Sequence, residues 1–104
     1  MAGVVLVSDE HAWAVDSWTF GWAITTLAGM VVTPALADRL REVDEQHLGS
    51  IALADLRADE RADLAAQVAR LPHVAASTLP PSDGRDAVVA SVTHLAELVA
   101  AADV

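Results

Sequence analysis

Ser8-Asp9-Glu10-His11 sets a hydroxyl, two carboxylates and an imidazole on four consecutive residues. Such a group could act as a general base or contribute ligands to a metal ion. The same residue types are those that cap a helix and suit the positive end of its dipole, and the sequence assigns them that structural role, with Ser8 or Asp9 as the cap. The remaining histidines stand apart from one another. His47 falls on the apolar stripe of its helix and reads as a partly buried core residue. His94, three positions before Glu97, forms a solvated pair on a helix surface, and His73 follows Pro72 in a connection.

Missing residue types exclude several chemistries. The chain has no Lys, so it offers neither a Schiff base nor a phosphate-binding lysine, and no Cys, so it offers no thiolate nucleophile, disulfide or thiolate metal site. Metal-ligand pairs such as H-x-x-x-H or H-E-x-x-H, calcium loops, glycine-rich phosphate loops and G-x-S-x-G elbows are also absent from the sequence. The carboxylate pairs Asp38/Glu42, Glu42/Glu45 and Asp59/Asp63 lie beside Arg39, Arg41, Arg57 and Arg61, the pattern of solvated helix faces. No catalytic, cofactor-binding or metal-binding residue is assigned.

The most concentrated feature is aromatic. All four aromatic side chains, Trp13, Trp18, Phe20 and Trp22, fall within ten positions. Trp and Phe bury the largest apolar areas, so whatever this segment packs against dominates either the fold or an interface. If residues 10–31 are helical, Trp13, Phe20, Ile24, Leu27 and Val31 occupy one side, and Val15, Trp18 and Trp22 nearly the opposite side. A surface helix needs one apolar face. The second is covered by the same chain, or it is a partner-binding face made of Val15, Trp18 and Trp22. A symmetric homodimer is the economical form of the latter.

These residues must be positioned by a small domain. The chain has 104 residues, 54% of them hydrophobic, and 22 of those are Ala. High Ala content favours helices at close range. Val4 to Val7 reads as a short strand that could pair with residues 51–53. Ser8 or Asp9 opens a helix running to about Met30, although the alternation of Trp18, Phe20, Trp22 and Ile24 also suits a strand. Thr33-Pro34 starts a second helix, with Leu36, Leu40, Val43 and His47 on one face and Gly49 as its stop. A third helix is expected from Ala58 to Leu71, ended by Pro72. Residues 73–84 form a surface connection, and Asp83 caps a final helix with the stripe Val88, Val92, Leu95 and Val99. The expected fold is thus mainly α, a four-helix bundle-like single domain over residues 1–104, with room for a short two-stranded edge pairing 4–7 with 51–53.

The formal charge is −9, spread along the whole chain, and all six basic residues are Arg. Such a surface repels a phosphate backbone and steers a basic protein partner. The bias towards Ala, Val, Asp and Arg suits a GC-rich bacterial coding sequence. Residues 17–37 are uncharged but contain four Thr, and Asp16 and Asp38 flank them, which is unlike a membrane span. The first ten residues have no basic segment of the kind that opens a signal peptide, so a cytoplasmic setting is expected. The function expected from these features is a small, acidic, non-catalytic protein-interaction module of the inhibitor, immunity-type or accessory kind, which binds through aromatic anchors. The alternative is a small enzyme or ligand-binding protein with a Trp-lined pocket near residues 9–22, using Asp9, Glu10 or His11 as polar groups.

Overall fold

The computed structural model describes residues 2–102. In chain order it contains β1 (Ala2–Leu6), β2 (Ala12–Asp16), α1 (Ser17–Met30), α2 (Pro34–Glu45), β3 (Ser50–Ala52), a 3-10 turn (Leu53–Asp55), α3 (Ala58–Val68), α4 (Leu71–Thr78) and α5 (Asp83–Ala102). The protein is therefore mainly helical. The expected four-helix bundle gives way to five α-helices, among the described residues, built around a three-stranded sheet of order β2-β1-β3.

The main departure lies at residues 8–16. Ser8 to His11, expected to open a helix, instead closes a β-hairpin. Val7 and Ser8 donate their N–H groups to the His11 carbonyl at 3.0 and 3.1 Å, and the Glu10 N–H donates to Ser8 Oγ at 3.4 Å. Short polar side chains that cap helices also satisfy tight turns, so the residue types alone do not separate the two. Period-2 burial then runs through β2: Trp13 is buried while Ala12 and Ala14 are exposed. The helix begins only at Ser17, where Asp16 is the cap.

The pairing of the first strand with residues near 51 is present. It is parallel, with Val4, Val5 and Leu6 opposite Ser50, Ile51 and Ala52, and β2 adds an antiparallel partner on the other side of β1. One face of the sheet carries Gly3, Val5, Val7, Trp13 and Ile51, all buried against the helical layer, with the ring of Phe20 from α1 seated over Gly3. The other face, with Leu6, Ala12 and Ala14, is open.

Most helix faces follow the sequence pattern. Leu36, Leu40 and Val43 of α2 are buried, as are Leu64 and Val68 of α3 and Val88, Val92, Leu95 and Val99 of α5. They join Ile24 and Leu27 of α1 in one continuous core. His47 is an exception: it is exposed, with φ +50° in the link between α2 and β3, where Gly49 has φ +73°. Thr33 and Pro34 begin α2 as expected, but the Thr33 side chain makes no cap bond. Asp63 of α3 instead fixes the approach to α2, accepting the N–H groups of Val32 and Thr33, just before the helix, at 2.9 and 2.8 Å. Pro72, expected to end a helix, lies in the first turn of α4, where a missing N–H costs nothing. The surface connection of residues 73–84 shrinks accordingly to Leu79–Ser82.

Candidate functional site

Asp16 fixes the first turn of α1. Its Oδ1 accepts the Thr19 hydroxyl at 2.6 Å and its Oδ2 accepts the Thr19 N–H at 3.2 Å. The Thr19 hydroxyl, followed by the Thr19 N–H, holds the Asp16 carboxyl below its ordinary pKa, outweighing the small opposing effect of desolvation. Thr19 is buried, and Trp18, between these two residues, is 59% exposed. An indole held on a capped turn and more than half exposed costs the fold apolar exposure that the described residues relieve only in part.

Across from Trp18 stands the junction of α4 and α5. Ser82 is its organiser, in the role expected of Asp83: its Oγ accepts the Arg85 N–H at 3.1 Å and donates to the Pro80 carbonyl at 3.3 Å. The Arg85 guanidinium donates to the carbonyl of Ala76 near the end of α4 at 3.4 Å. Between the two walls lies a groove of about 480 Å³, lined by Asp16, Trp18 and Thr19 on one side and by Leu79, Pro80, Arg85 and Val88 among others on the opposite side. Its lining is mostly apolar and includes one acidic residue, Asp16, and one basic residue, Arg85. Its polar groups suit orientation of a bound segment more than proton transfer.

The three residues assigned to a partner-binding face differ in exposure. Val15 is half-buried on the sheet face that meets the helices, opposite Gly3. Trp22 is half-buried and packs against the edge of the core. Trp18 alone of the three lines the groove. The segment that completes the site, Leu79 to Val88, was legible in the sequence as a connection and a helix start but not as part of a site, because that role comes only from its proximity to a residue about sixty positions earlier.

The Ser8–His11 cluster is spatially close, with Ser8 Oγ 3.3 Å from His11 Nδ1, but it is an exposed turn. Among the described residues no group of three His, Asp or Glu side chains is arranged to hold a metal ion, and no helix is long and apolar enough to cross a membrane. Compared with protein-family models, curated proteins and solved structures, the chain matches none of them.

Proposed function

We propose that the protein is a non-catalytic protein-interaction module, and that Trp18 is its anchor, with the groove formed by Asp16, Leu79, Pro80, Arg85 and Val88 receiving an apolar side chain of the partner. The observation that carries this reading is a Trp 59% exposed on a hydrogen-bonded, capped turn beside an apolar groove. Trp is the residue most enriched among those that dominate binding energy, and a rigid anchor loses little entropy on binding. A small-molecule site encloses most of its ligand, so a Trp more than half in solvent favours a protein surface over the ligand-binding alternative. The net charge of −9, with Asp16, Asp83 and Asp86 close in sequence to the two walls, suits a basic partner.

The test is comparative capture. Immobilised wild-type protein and the variants Trp18→Ala and Trp22→Ala are exposed to native lysate, and retained proteins are identified by mass spectrometry. The reading expects a partner lost with Trp18→Ala, retained with Trp22→Ala and released by salt. A partner held equally by all three proteins would show that the groove is not the binding site.

A further inference from the structure

Among the described residues, the outer edge of β2 carries backbone groups with no partner. In β1 and β2, the hydrogen bond from the Val7 N–H to the His11 carbonyl sets the alternation, so that Val5/Trp13 and Gly3/Val15 are the pairs that exchange bonds. Val4, in the intervening position, turns the other way and donates to the Gly49 carbonyl beside β3, which confirms the phase. The same alternation directs the N–H and C=O of Ala12 and Ala14 away from the sheet. Among the described residues none bonds them. Natural sheets guard such an edge with Lys, Pro, a bulge or a covering element. Here residues 12–15 are Ala-Trp-Ala-Val, with both alanines exposed and no charge before Asp16.

We propose that the edge of β2 pairs antiparallel with the same edge of a second copy of this chain, about a two-fold axis at Trp13, with Ala12 of each copy opposite Ala14 of the other. This register satisfies all the outward N–H and C=O groups of the two alanines through four hydrogen bonds, and it extends each sheet into a six-stranded one of order β3-β1-β2-β2-β1-β3. Strands with small outward side chains meet without steric conflict. The occupant is a second copy because the edge is self-complementary and uncharged, whereas the chain as a whole carries a net charge of −9: a basic partner would find nothing in residues 12–15 to attract it. Strand pairing alone buries less than a stable dimer usually requires, so the dimer is weak and concentration-dependent. With −9 on each chain, screening by salt therefore strengthens self-association, opposite in sign to capture of a basic partner.

Sedimentation equilibrium over a range of protein and salt concentrations, with amide hydrogen exchange on the same samples, tests the proposal. The expected result is a monomer–dimer equilibrium that tightens with salt, with the Ala12 and Ala14 amides slowing as protein concentration rises. Ala14→Pro leaves the bonds to β1 intact, since the Ala14 N–H does not take part in them, and should weaken the dimer by about 30-fold or more through lost hydrogen bonds. Trp18→Ala should leave it unchanged, which separates this proposal from the groove reading. A monomer at every concentration, with both amides exchanging fast, overturns it. So does a dimer that persists in folded Ala14→Pro, and the exchange measurement on wild-type protein decides the matter if that variant does not fold.

Discussion

The indole N–H of Trp13 donates to the main-chain carbonyl of Ser91 at 2.8 Å, joining the hairpin to the middle of α5 across 78 positions of sequence. Trp13 is only 2% exposed, so the bond satisfies the one polar atom of a side chain that otherwise fills the space between sheet and helix. Trp13→Phe removes the donor and part of the ring, and is expected to cost about 2 kcal/mol in urea unfolding. Trp13→Ala should cost about 3–5 kcal/mol. A Trp13→Phe variant as stable as wild type would show that the hairpin is held to α5 by packing alone.

Gly3 and Phe20 are a fitted pair. A Cβ placed on Gly3 would lie 2.0 Å from Phe20 Cγ, far inside contact distance, and the ring of a 6% exposed Phe has little room to retreat. Gly3→Ala should destabilise by about 1–3 kcal/mol through overpacking, and Phe20→Ala by about 3–5 kcal/mol through a cavity. Because the methyl group would partly fill that cavity, the double variant should lose less than the two single losses combined. Strict additivity in denaturant melts would contradict the contact.

Two carboxylates make stability sensitive to acid. In Asp63, desolvation raises the pKa, but the bonds from Thr33, Gln67 and Val32 together outweigh it, and the net direction is downward, as for Asp16. A carboxyl with its folded pKa below the unfolded value of 3.8 stabilises the fold fully above that value, and the contribution fades as pH falls through the folded pKa. Asp16→Ala and Asp63→Ala should each lower stability at neutral pH, by about 0.5–2 kcal/mol for the loss of the Asp16 cap. Thermal melts should show the gap from wild type closing below pH 3.8. A gap that is constant down to strongly acidic pH would mean that the carboxylate charge is not what these sites use.

The elements legible in the sequence are those whose signals are local and redundant. In α2 and α5, apolar spacing agrees with the cap or proline at the start: Leu36, Leu40 and Val43 are buried, as are Val88, Val92, Leu95 and Val99, and His47, the fourth member expected in the α2 stripe, lies exposed beyond the helix end. Where one signal served two structures, the sequence misled. Ser8 to His11 fits a turn as well as a cap, and Pro72 fits the first turn of a helix as well as a stop. The groove was not legible at all. Trp18 and Trp22 lie within about 40° of each other around an ideal helix, so periodicity cannot separate them. What separates them is position along α1: Trp18 occupies its first turn, facing Leu79 to Val88, while Trp22 lies one turn deeper against the core.

That separation can be measured in the isolated protein. Trp18→Ala should leave the melting temperature of the dilute protein nearly unchanged, since the ring it removes is largely in solvent. Trp22→Ala should destabilise by about 1–3 kcal/mol, less than a fully buried aromatic because the side chain is half-buried at the core's edge. Emission provides an independent check. Each variant removes one indole, so subtracting spectra should assign a red-shifted, readily quenched component to Trp18 and a blue-shifted, protected one to Trp22. If instead Trp18→Ala unfolds the protein as readily as Phe20→Ala, the ring is part of the core in solution, and it cannot also be the anchor that meets a partner.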